Sequence, residues 1–152
     1  MSAEAATPDL PALHLTWTIP APRERVFRAW TDPQEIKAWL VPEESEMVSA
    51  EVDVRAGGDY RFAFRAPDGE VVYVVGTYVE VDPPERLVFT WVFEGVDRTD
   101  TLVTVALNES GDGTDVVLTH ERLTTEASRA LVAYGWPRVL ARLAKLVGSI
   151  NT

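Results

Sequence analysis

The sequence predicts an α+β fold: a meander of antiparallel strands closed by one long C-terminal helix. Three observations carry that expectation. From Glu46 to Glu121 apolar residues recur at every second position, the period of a half-buried strand. Turn signals punctuate this stretch, and short turns join antiparallel neighbours. From Thr124 to Ile150 the spacing changes to three and four, with Leu131, Val132, Leu140, Leu143, Leu146 and Val147 in phase, the period of an amphipathic helix. A sheet covered on its apolar face mainly by a single helix tends to leave space between the two layers. Function is expected in that space.

Residues 1–11, rich in Ala and Pro, read as a flexible N-terminal tail, and residues 12–152 as one domain. Leu13–Ile19 alternates apolar and polar residues and is stopped by Pro20 and Pro22, since proline cannot donate to a ladder. Pro22 suits the first turn of a helix with Val26, Phe27 and Trp30 as its stripe. Thr31-Asp32-Pro33 restarts the chain as a second short helix, a capping side chain followed by proline at the first helical position. Ile36, Trp39 and Leu40 follow, and Pro42 ends it. About six strands come next. Gly57-Gly58 supplies the positive backbone angles of a hairpin turn, with Asp53 and Arg55 placed to pair beside it. Pro67-Asp68-Gly69, Asp82-Pro83-Pro84-Glu85 and the stretch Asn108 to Gly113 are further turns. Thr124 or Thr125 caps the last helix. Pro137 clashes there with the carbonyl of Ala133, so a kink or two successive helices are expected.

The proline turn sets a register. With Val81 opposite Arg86, Tyr78 faces Phe89, Gly76 faces Trp91 and Val74 faces Phe93, all on one face. That face is too apolar for solvent and belongs under the helix, with Gly76 leaving room for the Trp91 indole or for a ligand lying on it. Glu80 falls on the same face near the strand end, at a solvated rim or paired with an arginine. Trp17, Tyr60 and Phe62 join Tyr78, Phe89 and Trp91 as an aromatic inner wall. His120 reaches the same space beside Leu118, and Trp136 enters from the helix. Each of these residues also reads as ordinary core. As a group they are the candidate ligand-binding residues, with Tyr60, Tyr78 and His120 fixing orientation. Histidine ordinarily titrates near neutrality, which gives His120 a second reading as a general acid/base.

Composition excludes several classes. A net charge of -10 argues against nucleic acid and anionic membranes, which need a positive footprint. The absence of cysteine removes disulfides, zinc-thiolate sites and cysteine nucleophiles, and fits a cytoplasmic location. Two isolated histidines make a poor metal site, and no cofactor is expected. No serine sits in a nucleophile elbow, and Gly57-Gly58 lacks the lysine and helix of a phosphate loop. No apolar run approaches ~18 residues, and the N-terminus lacks the basic and apolar regions of a secretory signal.

The order of several pieces resembles a known family. These are Val26-Phe27-Arg28-Ala29-Trp30-Thr31-Asp32-Pro33, Trp39 with Pro42, Asp53-x-Arg55-x-Gly57-Gly58, Gly76-x-Tyr78-x-Glu80-x-x-Pro83-Pro84-Glu85-Arg86-Leu87-Val88-Phe89-Thr90-Trp91, Gly113-Thr114 and Gly135-Trp136. From Leu13 to Val147 the chain resembles the activator of heat-shock protein 90 ATPase homologue-like family of the START-like (SRPBCC) superfamily. The resemblance implies a helix-grip (START/Bet v 1-like) fold: a curved sheet of six to seven strands on a long C-terminal helix, two short helices after the first strand, and a cavity between. Such proteins bind lipids, polyketides and other hydrophobic molecules, and some are cyclases or aromatases. Trp17 stands where an arginine is common, which removes an anchor for anionic ligands. The expected function is binding of a hydrophobic, aromatic small molecule in that cavity. The alternatives are a cyclase or hydratase using His120, or a chaperone-associated interaction module. A monomer or a homodimer is expected.

Overall fold

A computed structural model describes residues 12–94 and 97–149, without the side chains of 97–99 and 149. The tail expected at residues 1–11 lies outside the described residues. In chain order the elements are β1 (Leu13–Ile19), α1 (Arg23–Thr31), α2 (Pro33–Trp39), β2 (Glu46–Val52), β3 (Asp59–Arg65), β4 (Val71–Asp82), β5 (Arg86–Phe93), β6 (Asp97–Ser110), β7 (Gly113–Glu121) and α3 (Glu126–Ser149). The seven strands form one antiparallel sheet in the order β1-β7-β6-β5-β4-β3-β2. The meander runs from β2 to β7, and β1 closes its far edge. The sheet curves around α3, the helix-grip arrangement.

Local chemistry places the ends of these elements as the sequence leads one to expect. The Asp32 carboxylate accepts from the backbone N–H of Gln34 at 2.8 Å and of Glu35 at 3.4 Å, with Pro33 at the first helical position. Arg25 and Arg28 both reach Glu35, at 2.6 and 3.1 Å, which ties α1 to α2. The Arg55 Nε donates to both Asp53 oxygens, at 3.0 and 2.9 Å. Gly57 has φ +89°, whereas Gly58 serves closeness: a Cβ there would lie 2.0 Å from the Asp53 carbonyl oxygen. The Thr125 hydroxyl caps α3 by accepting from Ser128 N at 3.1 Å. α3 is one helix with Pro137 inside it, not two. The Ala133 carbonyl, which loses its donor at Pro137, belongs to an exposed residue that water can solvate.

Two register details depart from the expectation. Asp82, not Val81, opposes Arg86, and the register shifts between Tyr78 and Glu80. The shift restores Tyr78 opposite Phe89 and Val74 opposite Phe93. It also sends Glu80 opposite Val88, and its carboxylate meets Arg86 Nε at 3.2 Å in solvent, the rim position and arginine partner expected of it. Val79 at the shift is 53% exposed. The second departure concerns Gly76. Its room is used by Tyr60, its partner on β3, not by Trp91. A Cβ on Gly76 would sit 2.6 Å from the Tyr60 ring. The Tyr60 hydroxyl passes over Gly76 and donates to the Thr90 carbonyl at 2.5 Å.

The core fills most of the space between sheet and helix. Val103, Val105, Leu107, Val116 and Leu118 face Leu140, Leu143 and Val147, all nearly inaccessible. Among the described residues, no helix is long and apolar enough to cross a membrane.

Candidate functional site

Packing is incomplete at one end of the grip. A cavity of about 300 Å³ opens between the first half of α3, the loop from α2 to β2 and the β3–β4–β5 part of the sheet. Its inner wall is buried: Phe62 and Val74 from the sheet, Trp91 from β5, and Val132, Trp136 and Val139 from α3. Its mouth carries the exposed Leu131 and Tyr134 of α3, with Glu44 and Pro67 on the facing loops. Gly135 lies in the helix stripe between them, and a Cβ there would meet nothing within 4 Å. The helix therefore presents its smallest residue where the cavity needs width.

The eight sequence-predicted residues divide in two. Phe62, Trp91 and Trp136 line the cavity. Tyr60, Tyr78 and Phe89 do not. They pack together beside it, with ring centroids 5.4 to 6.1 Å apart, and burial raises both tyrosine pKa values, that of Tyr60 further through Tyr78. Trp17 is half-buried on β1 and packs against the core away from the cavity. His120 is fully buried and its ring is fully engaged. Trp136 Nε1 donates to His120 Nδ1 at 3.0 Å. His120 Nε2 lies 2.7 Å from Thr101 Oγ1, which donates to the Trp91 carbonyl at 2.6 Å. With Thr101 donating onward, His120 must carry its proton on Nε2. Desolvation lowers its pKa to about 3. His120 thus reaches no guest and has no free nitrogen for proton transfer, which corrects both its orienting and its acid/base reading. Its work is to hold Trp136 and Trp91 in place, and those two indoles line the cavity at 5.3 Å from each other.

Other contributors were not legible in the sequence. Glu44 and Tyr134 are 90 residues apart, and the Tyr134 hydroxyl donates to the Glu44 carboxylate across the mouth. That bond lowers the Glu44 pKa and raises that of Tyr134. Arg138 stacks on the Tyr134 ring at 3.7 Å, and Arg142 donates to the Val41 carbonyl. Together these contacts strap the α2–β2 loop to α3. Trp91 Nε1 is a buried donor without a partner among the described residues. No group of acidic, histidine or cysteine side chains among the described residues could hold a metal ion.

The family model for Activator of Hsp90 ATPase homolog 1-like protein matches residues 20–148. The chain belongs to that family. The crystal structure of protein CV1439 from Chromobacterium violaceum is 31% identical, covers 90% of this chain and 96% of its own, and superposes with a TM-score of 0.77. CalU16 from Micromonospora echinospora is 30% identical over 90% of this chain and 75% of its own, with a TM-score of 0.69. Protein NE0264 from Nitrosomonas europaea covers 99% of both chains with a TM-score of 0.82 at 22% identity, a likeness of fold alone. No curated protein sequence matches. The family's name describes a family and assigns no chaperone partner to this chain.

Proposed function

We propose that the protein binds a hydrophobic, aromatic small molecule in the cavity between α3 and the sheet. The observation that carries this reading is an apolar cavity of about 300 Å³ with two indoles on its wall. Pockets for small ligands begin at about this size. A dry apolar cavity of ~150 Å³ accepts one benzene ring, so this one suits two fused rings. Burying about 250 Å² of ring surface is worth about 6 kcal/mol at ~25 cal/mol per Å²; the cost of association offsets part of it, so a Kd of tens of micromolar is the tightest this term supports. The fixed His120–Trp136 pair keeps the guest's wall rigid, so little ordering is left for binding to oppose.

Titration with 1-naphthol, followed by tryptophan fluorescence and calorimetry, tests the proposal. Saturable 1:1 binding with a change in indole emission is expected. Heat and emission that change only linearly with added compound would contradict it.

A further inference from the structure

The mouth of the cavity carries a charge that its walls lack. Glu44 is the one charged side chain among the lining residues. It stands on the α2–β2 loop with its carboxylate in solvent. The Tyr134 hydroxyl and the backbone N–H of Glu44 itself occupy two of its acceptor sites. An ionised carboxylate offers about four such sites, so others remain for a further donor. Arg138 also lowers the Glu44 pKa through space, but its guanidinium lies flat on the Tyr134 ring and donates to the Tyr134 carbonyl at 2.7 Å, so it makes no ion pair with the carboxylate. It is not part of the cavity wall.

Resting on the cavity-binding reading, we propose that the preferred guests are cationic amphiphiles, with an apolar body beneath α3 and a protonated amine at the mouth against Glu44. A charged end cannot go deeper, because the walls offer it no counter-ion and burial of an unpaired charge is costly. Body and head are therefore forced into one orientation, head outward. At the mouth an ammonium meets an anion that both accepts its hydrogen bonds and attracts its charge, a hydroxyl gains the hydrogen bond without the ion pair, and a carboxylate meets like charge. The same geometry gives the Glu44–Tyr134 bond a role: it holds the carboxylate over the opening and keeps the loop from swinging it away.

The experiment compares three probes of nearly equal body, 2-(1-naphthyl)ethylamine, 2-(1-naphthyl)ethanol and 1-naphthylacetate, at pH 7 and low salt. Each is titrated into the unaltered protein and into Glu44→Gln. The amine should bind about fivefold tighter than the alcohol, the size of a good exposed ion pair, and the acetate more weakly than both. Raising the salt should shrink the amine's advantage. Glu44→Gln should bring the amine close to the alcohol's affinity, while the alcohol, which loses no ion pair, weakens by less than about twofold. Equal binding of amine and acetate, or an amine preference that survives Glu44→Gln, overturns the headgroup assignment while the alcohol's binding keeps the cavity reading alive. Failure of all three probes to bind overturns both.

Discussion

Burial leaves His120 only its neutral form. Its two ring nitrogens join Trp136 to Thr101, and Thr101 closes the chain on the Trp91 carbonyl. With a folded pKa lowered to about 3 against ~6.5 in the unfolded chain, the unfolded state takes up the proton first as pH falls. The stability this histidine contributes is complete above about pH 6.5. It then declines by up to about 1.4 kcal/mol per pH unit until the folded pKa is reached. Imidazole resonances of His120 should therefore not titrate between pH 4.5 and 8 in NMR, while denaturant midpoints hold above about pH 6.5 and fall from there to pH 4.5. A His120 signal titrating near pH 6.5 would refute the assignment. Gly76 is the second residue whose identity is forced. A Cβ would lie 2.1 Å from the Thr90 carbonyl oxygen as well as against the Tyr60 ring. Gly76→Ala should cost about 3 kcal/mol or more through backbone displacement and overpacking, measured by urea unfolding. That His120 faces inward was legible, since it alternates with Leu118 on one strand. Its partners were not, because they come from β6 and α3, and alternation says nothing of what lies opposite.

At the scale of elements, periodicity and punctuation carried most of the information. The strands were visible as period two, the short helices as proline and capping residues, and α3 as spacings of three and four. The shift at Val79 was not visible, yet its physical cause is simple. The proline turn closes with Glu85 N on the Asp82 carbonyl at 2.8 Å, which pairs Asp82 with Arg86. Carried along the strand, that pairing would move every aromatic partner by one place. A slip of one residue exchanges the faces of a strand, and one extra residue in β4 corrects it. Pro137 was legible as a defect, but its consequence was not. Tertiary packing of Val132, Trp136, Val139 and Leu140 holds α3 together across the missing hydrogen bond. Pro137→Ala restores a donor for the Ala133 carbonyl, and should raise stability by about 1–3 kcal/mol in thermal unfolding at fixed pH.

Across the whole molecule, the cavity exists because the grip is filled unevenly. Tyr60, Tyr78 and Phe89 interlock in the middle of the sheet, and the aliphatic pack of β6, β7 and α3 fills one end. The other end is bordered by Gly135 and by loops. The sequence placed an aromatic wall along the sheet's inner face but could not say which rings mesh and which stay apart, since that depends on the depth of the sheet's curve. Gly135→Leu separates hollow from filled. Its side chain enters open space, and leucine is a better helix former than glycine by up to about 1 kcal/mol. The variant should be at least as stable as the parent and should lose 1-naphthol binding by tenfold or more in calorimetry. Unimpaired binding would move the site elsewhere. The most direct measurement is a crystal structure grown with 1-bromonaphthalene, which locates the guest by the anomalous signal of its bromine. The expected peak lies beneath α3, in contact with Trp91, Trp136 and Val139. Bromine found only on the outer face of the sheet, with the space under the helix unchanged, would contradict the account.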